Sequence, residues 1–294
     1  MDGILCIDKP EDMTSFLCVA IVRRLLGEKM VGHAGTLDPN ATGVLPLLIG
    51  RGTKLLDHLP CHDKCYTATL RFGAVSDTLD VWGEVTETGG AIPTLAQVEA
   101  ALPAFRGDIM QVPPMTSALK KDGVRLYDLA RQGIEVEREA RPVTIYELEL
   151  LEYNEKEGLL TLHCHCSSGT YIRTLCDDLG RTLGCGAVMT ALRRTMAAGF
   201  PLTDCITLDE AKALAEAGTL AERLLPLDQA LAAYPAITVS APQAARFRNG
   251  GVLDLVRLRA TVEGPVRVYD PDGVCIALGT PADGELKMTC LLQI

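Results

Sequence analysis

One carboxylate stands inside the most glycine- and proline-rich stretch of the chain. The run Gly32-His33-Ala34-Gly35-Thr36-Leu37-Asp38-Pro39 continues through Ala41-Thr42-Gly43-Val44-Leu45-Pro46 to Gly50 and Thr53-Lys54. Residues of these types build tight turns rather than regular elements. Glycines at 32, 35 and 43 let the backbone approach a ligand closely, and Pro39 stiffens the turn that holds the acid. An ionised carboxylate fixed in such a loop is suited to attack a carbon as a nucleophile or to remove a proton as a base. Taken alone, an Asp in a loop is more often a turn former or a helix cap.

Three further segments concentrate unusual residue choices. Lys9-Pro10-Glu11-Asp12-Met13-Thr14-Ser15 joins an apolar run to an apolar-periodic one, and by residue type it reads as a strand-to-helix connection, Lys9 included. Gln111-Val112-Pro113-Pro114-Met115-Thr116-Ser117-Ala118-Leu119-Lys120-Lys121-Asp122-Gly123 leads into Tyr127-Asp128-Leu129-Ala130-Arg131. Its two prolines fix an extended backbone, and Lys120, Lys121 and Arg125 could meet phosphates or simply be solvated. Ser168-Gly169-Thr170-Tyr171-Ile172-Arg173-Thr174-Leu175 runs through Asp177-Asp178-Leu179-Gly180 to Ala191-Leu192-Arg193-Arg194. Tyr171 and Arg173 fall at a helix entrance, where side chains can face a cleft. An Arg there can grip a carboxylate through two parallel hydrogen bonds, or form a surface ion pair worth little.

Together these four segments resemble the bacterial tRNA pseudouridine synthases of the TruB family, over nearly all of residues 3–200 and more loosely over 237–294. The sequence departs from the family's pattern at Asp12, where a Gly is usual, and at Thr116, often aromatic. Asp tolerates left-handed backbone better than most residues, so the turn at Asp12 is expected to survive. The resemblance implies that Asp38 is catalytic and that Arg173 beside it keeps it ionised. It implies that Tyr66 packs against the target uracil, that Leu192 lines the same pocket and that His33 contacts the distorted RNA loop. Lys54, Lys120 and Arg193 are expected as further RNA contacts, and Tyr171 as a wall of the base pocket. The implied substrate is uridine 55 in the T-arm stem-loop of tRNA. The implied reaction is an isomerisation that needs no metal and no organic cofactor. No obligate protein partner is expected.

The elements that must position these residues mix without the regular alternation of a parallel βαβ array. The fold class expected is α+β: a pseudouridine-synthase-like catalytic domain around a largely antiparallel mixed sheet. Strands are expected at Gly3–Asp8, Tyr66–Phe72, 143–152 and 158–166. Helices are expected from Phe16 to Leu26 closed by Gly27, from Thr53 to Leu59, and from the Thr94/Gln97 capping box to Phe105. Two more are expected, from Thr170 to Leu183 and from the Thr207/Glu210 capping box to Ala217. After Pro235 short apolar runs broken by Asn249-Gly250-Gly251, Asp272-Gly273 and Asp283-Gly284 suggest a small β-rich module. Val266–Gly273 followed by Ile276–Gly279 resembles a hairpin of PUA-type RNA-binding domains. The expected division is therefore a catalytic domain at 1–234 and a PUA-like RNA-binding domain at 235–294.

The net charge of −10 would not by itself suggest RNA. The acid is unevenly placed, however: residues 131–157 carry eight acids against four bases, whereas residues 164–194 carry four bases against two acids. Where the charge lies matters more than its sum. The N-terminal residues lack the pattern of a secretory signal and no run is long enough to span a bilayer, so a cytoplasmic protein with free thiols is expected despite eleven cysteines. His58, Cys61, His62 and Cys65 have zinc-like spacing without a downstream pair. His163-Cys164-His165-Cys166 on a strand would send histidines and cysteines to opposite faces, which cannot enclose one zinc. Two readings from other classes remain on the sequence alone: a non-catalytic module that binds or folds tRNA, and a zinc hydrolase using the His58–Cys65 cluster.

Overall fold

The strand that opens the chain has apolar side chains on both faces. In the computed structural model, which describes residues 1–293, β1 (Gly3–Lys9) is buried along nearly its whole length. Pro10 ends it, and Asp12 takes left-handed backbone at φ 57°. The chain then enters α1 (Ser15–Leu26), where the Thr14 hydroxyl accepts the Leu17 N–H and Gly27 closes the last turn at φ 61°. β2 (Val31–His33), β3 (Thr42–Ile49) and a 3₁₀ segment, Gly50–His58, follow.

Next come β4 (Lys64–Phe72), β5 (Ala74–Ser76), β6 (Val85–Glu87), α2 (Leu95–Ala101) and β7 (Gly107–Gln111). After them are β8 (Lys120–Lys121), β9 (Val124–Arg125), α3 (Leu126–Ala130), β10 (Arg141–Asn154), β11 (Leu159–Cys166), α4 (Ile172–Thr182) and β12 (Ala187–Ala197). The remainder is β13 (Phe200–Pro201), β14 (Ile206–Thr207), α5 (Leu208–Glu216), β15 (Ala236–Thr238), α6 (Ala241–Arg248), β16 (Leu253–Asp254), α7 (Leu255–Leu258), β17 (Val266–Tyr269), β18 (Cys275–Ala282) and β19 (Glu285–Leu291).

The chain gathers into two units. The first holds Met1–Pro39, Gly43–His62 and the residues from Ala197 onward; the second holds Asn40–Thr42 and Asp63–Met196. In the first unit β1 lies between β14, its parallel neighbour (Ile7 opposite Ile206), and β3, its antiparallel one (Gly3 opposite Ile49 through Lys9 opposite Gly43). Successive residues of β1 face opposite ways. Leu5 and Ile7 pack with Leu45, Leu47 and Ile49 of β3 under Cys18, Val19 and Val22 of α1 and Leu208 and Ala211 of α5. Ile4 and Cys6 pack the other way, with Leu48, Leu55, Ala230, Leu231, Leu278, Cys290 and Leu292. Because both faces are covered, β1 and β3 read as continuous apolar runs rather than alternating ones.

Residues after Pro235 form a sheet of their own in the order β15-β17-β18-β19-β16. Its core comprises Val239, Ala244, Phe247, Leu253, Val266, Val268, Ile276, Ala277 and Leu286. The expected hairpin is β17–β18, with Val266 opposite Gly279. Helix α6 was not expected, although Ser240 and Gln243 carry the same capping signal as Thr94 and Gln97; the Ser240 N–H donates to Gln243 Oε1 at 2.8 Å. Leu278 and Cys290 also belong to the core beneath β1.

The second unit is built on the strand order β12-β4-β11-β10-β7. β4 and β11 alternate cleanly: Tyr66, Ala68, Leu70 and Phe72 are buried, as are Leu160, Leu162, Cys164 and Cys166. Cys164 lies opposite Tyr66 and Leu162 opposite Ala68, so these rows share one face, and α4 packs on β4. α4 starts at Ile172 because Tyr171 keeps extended backbone (φ −104°, ψ 107°). α2 stops at Ala101, and a 3₁₀ turn containing Pro103 completes the segment to Phe105. The architecture is α+β with mixed sheets, as the element pattern required. Among the described residues no helix is long and apolar enough to cross a membrane.

The left-handed turn at Asp12 gives a direct check. Asp12→Gly should leave the unfolding midpoint in urea nearly unchanged. Asp12→Val should destabilise by about 1–2 kcal/mol, because a β-branched side chain is strained at this φ.

Candidate active site

Asp38 is held by what surrounds its main chain. Gly35 and Gly43 take φ 108° and 104°, values open to glycine and strained for other residues, so the loop's glycines are required by its path. Leu37 is buried at 4% exposure, whereas Asp38 is half-buried. The buried Ser15 hydroxyl bonds to both polar groups of Leu37: it accepts the N–H at 2.9 Å and donates to the carbonyl at 3.1 Å. On the other side of the acid, the Pro39 carbonyl accepts the Met13 N–H at 3.2 Å and the Lys9 ammonium at 2.8 Å.

Lys9 has no exposed surface. Its Nζ also donates to the carbonyls of Pro10 at 2.7 Å and Met13 at 2.6 Å. An ammonium has three donors, and a buried charge is tolerable only when they are satisfied. Lys9 thus does connect strand to helix, as its sequence context suggested, but it also ties that connection to the residue after Asp38. Nothing in local sequence signals this second tie, because Pro39 is thirty residues away. His33 lies in β2 opposite Leu47, and the 3₁₀ segment that carries the exposed Lys54 packs against β2.

The other candidates belong to the second unit. Tyr66 and Leu192 sit on the neighbouring strands β4 and β12, at 6% and 8% exposure. Tyr171 is half-buried at the mouth of α4. Its backbone is clasped by the buried Gln111 side chain, which accepts the Tyr171 N–H at 3.0 Å and donates to its carbonyl at 3.3 Å. Arg173 is buried at 6% exposure, so it is no surface ion pair. It donates to the Thr78 carbonyl at 3.1 Å, to the Thr116 hydroxyl, and to the Thr116 carbonyl at 3.2 Å, and it lies 3.7 Å from Asp80 Oδ2. Asp80, itself buried, accepts the Thr78 hydroxyl at 2.6 Å and the Trp82 N–H at 3.1 Å. Arg193 donates to the Thr42 hydroxyl at 3.2 Å, which engages it within the protein. Lys120 is exposed on the two-residue ladder β8–β9.

Gln111, Thr78, Asp80 and Ser15 were not singled out as functional by sequence. The available signal was polar residues in Gly-bounded turns: Ser76-Asp77-Thr78-Leu79-Asp80 falls between Gly73 and Gly83. Next to Arg173, burial pushes the carboxyls of Asp177 and Asp178 up, while Arg181, 2.8 Å from Asp177, acts against that shift. These acids line a cleft of about 530 Å³ together with Asp77, Pro114, Thr116 and Thr174. His163 and His165 alternate with the buried Cys164 and Cys166, as the strand reading required. Burial pushes the Cys176 thiol up to about 12, the mark of an inert core thiol. Among the described residues no three His, Cys, Asp or Glu side chains are grouped to hold a metal ion, the His58–Cys65 cluster included.

Comparison with known proteins gives one consistent family. Residues 23–172 match the model of the TruB family pseudouridylate synthase N-terminal domain, and residues 173–232 match that of the tRNA pseudouridylate synthase B C-terminal domain. The chain is 47% identical over 286 residues to tRNA pseudouridine synthase B of Dechloromonas aromatica, covering 97% of this chain and 93% of that one. It is 48% identical to the protein of the same name from Haemophilus influenzae strain 86-028NP, with the same coverages. Among solved structures, an H/ACA RNP bound to a substrate RNA containing 2′-deoxyuridine superposes with a TM-score of 0.74 at 21% identity, covering 99% of this chain and 85% of that one.

The Lys9 cage predicts a large and specific cost. Lys9→Met removes the donor to three carbonyls and should lower the unfolding free energy by about 3–5 kcal/mol in urea melts, since each stranded buried group costs about 1–3 kcal/mol. Ser15→Ala should cost less, about 2–4 kcal/mol, because only the two polar groups of Leu37 lose their partner.

Proposed function

This chain belongs to the TruB family of tRNA pseudouridine synthases, which are isomerases, and on that footing we propose that it converts uridine 55 in the T-arm stem-loop of tRNA to pseudouridine with Asp38 as its catalytic carboxylate. The observation that carries this reading is the clamp on either side of Asp38. Ser15 fixes Leu37, and Lys9 with the Met13 N–H fixes Pro39. The acid between them is therefore set on a rigid main chain yet left half-buried, with a side chain that a substrate can reach. Positioning of this kind is worth several kcal/mol of barrier when the reacting group must meet one carbon of a large substrate.

The chemistry assigns the remaining parts. A uracil stacked in folded RNA must be extruded, at a cost of a few kcal/mol. Tyr66, Tyr171 and Leu192 are the residues proposed to receive it, offsetting that cost by stacking and apolar contact. The N1–C1′ bond breaks, the base turns, and C5 bonds to C1′. C5 then loses its proton and N1 gains one, so the product is an isomer of the substrate and no redox equivalent is needed. Asp38 serves either as nucleophile toward the sugar or as base on it. Tyr66 is a candidate for the group that takes the C5 proton. Arg173, held by Asp80, Thr78 and Thr116, is the cation proposed to keep Asp38 ionised. His33, Lys54, Lys120 and Arg193 are proposed RNA contacts, residues 235–294 a PUA-like RNA-binding domain beside a catalytic domain at 1–234, and the cytoplasm the place of action.

Conversion of a T-arm stem-loop RNA, with pseudouridine mapped by nucleotide, tests this reading. The wild type should modify one loop uridine. Asp38→Asn should lose turnover by several orders of magnitude while keeping RNA affinity within a few-fold, because the amide preserves shape but can neither attack nor accept a proton. Binding without conversion by the wild type would replace catalysis with an RNA-binding or RNA-folding role. A large loss of affinity in Asp38→Asn would make Asp38 structural.

A further inference from the structure

Trp82 is the only tryptophan of the chain, and 40% of its surface is exposed. Tryptophan is highly buried on average and carries one of the largest apolar surfaces of any side chain, so an indole left open to solvent is an unusual placement. Here it stands on a turn that has little freedom to swing. The Trp82 N–H donates to Asp80 Oδ1 at 3.1 Å, the Val81 N–H donates to the Met189 carbonyl at 3.0 Å, and the Glu84 N–H donates to Asp77 Oδ1 at 2.8 Å. The Met189 N–H returns a bond to the Leu79 carbonyl at 3.0 Å, fastening the turn to β12 three residues before Leu192. A Cβ at Gly83 would overlap Asp77 Oδ1 and Thr78 Oγ1, so any other residue there would displace side chains of the turn. Leu79 is held at φ 66°, a conformation a leucine keeps only when its surroundings dictate it.

Of the turn's acids Asp80 is buried, whereas Asp77 and Glu84 are exposed. Asp77 accepts the Glu84 N–H, and Asp80 accepts Thr78 and Trp82 and pairs with Arg173. The turn therefore offers a partner an exposed indole beside two exposed carboxylates, which repel phosphate. That is poor chemistry for a phosphate and good chemistry for a nucleobase, because every base has a π-face and stacks on an aromatic ring without sequence demands. Resting on the pseudouridine synthase reading above, we infer that Trp82 is a stacking platform for an unpaired base of the RNA substrate, distinct from the uracil that Tyr66, Tyr171 and Leu192 receive. Its attachment to Asp80, and through it to Arg173, holds the platform in fixed relation to the cation of the site.

A single tryptophan reports on itself. Wild-type protein is titrated with T-arm stem-loop RNA while indole emission is read in parallel with filter retention of the same RNA. The expected result is quenching that saturates at the RNA concentration where retention saturates. Trp82→Ala should raise KM for the stem-loop about tenfold, the effect of losing one base–aromatic stack, and leave kcat within about twofold. Trp82→Phe should recover most of the loss. Retention and conversion of RNA with unchanged emission, or a Trp82→Ala variant with normal KM, would overturn the inference. So would a fall in kcat without a change in KM, which would mean that Trp82 acts through Asp80 and Arg173 instead. Should the alanine variant fail to fold, wild-type quenching still decides. A wild type that neither retains nor converts the RNA overturns the underlying reading, and this one with it.

Discussion

A lysine with no exposed surface sets the geometry on which the site depends. The Lys9 ammonium reaches the carbonyls of Pro10, Met13 and Pro39, which belong to two segments far apart in sequence. Any movement of Pro39 away from the connection between β1 and α1 would strip a donor of its acceptor in a place water does not reach. The effective cost of leaving an ion bare in a protein interior is several kcal/mol, so the arrangement behaves as a stiff joint. Ser15 repeats the device one residue to the other side of Asp38, and the side chain of Leu37 is sunk in the core between them. The acid inherits its rigidity from neighbours that do no chemistry. This is preorganisation achieved through the main chain.

The second unit solves the same problem with other groups. Tyr171 has its N–H and its carbonyl taken by one buried amide, that of Gln111, which fixes the turn where α4 begins. Arg173 is oriented by two carbonyls, a hydroxyl and a carboxylate. Its partner Asp80 is itself oriented by Thr78 and the Trp82 backbone. Burying an ion pair seldom adds stability over apolar residues of similar volume, while breaking one strands a charge. The return on such a network is a unique placement of its members. It falls on the helix entrance and the Ser76–Glu84 turn, the stretches of this unit where regular hydrogen bonding gives out.

Much of this was legible in the sequence, and what was not has a physical reason. Thr14 with Gly27, Thr94 with Gln97 and Thr207 with Glu210 announce helix ends because capping is local chemistry among residues a few positions apart. The alternation of Tyr66 to Phe72 announces a strand for the same reason. Asp38 was visible as an acid among glycines, and the length of the matching segment gave it a role. Lys9 read only as a connector, because its partner Pro39 is distant in sequence and a carbonyl leaves no trace in residue type. Asp80 and Gln111 were passed over because their partners, Arg173 and Tyr171, lie about sixty to ninety residues away. The helix α6 was missed although its Ser240–Gln243 cap was present. The short apolar runs around it set the expectation of strands throughout the module.

An acidic chain that acts on RNA must draw its affinity from something other than its overall field. At a net charge of −10, the long-range field opposes rather than assists the approach of a polyanion. Arg173, the arginine most central to the second unit, is not free to neutralise phosphate. Arg173 is committed to Asp80 and Thr116, and Arg193 reaches Thr42. Exposed cations such as Lys54 and Lys120 lie in separate units, among a larger number of acids. Shape and contacts to bases, which salt does not screen and which only an opened loop can offer, can supply what the overall field withholds. A stem-loop with unstacked bases provides them, whereas a regular duplex does not. The proposed role of Asp38 gains from the same rigidity: a site already ordered can direct the energy of base contacts to extruding the nucleotide to be rearranged.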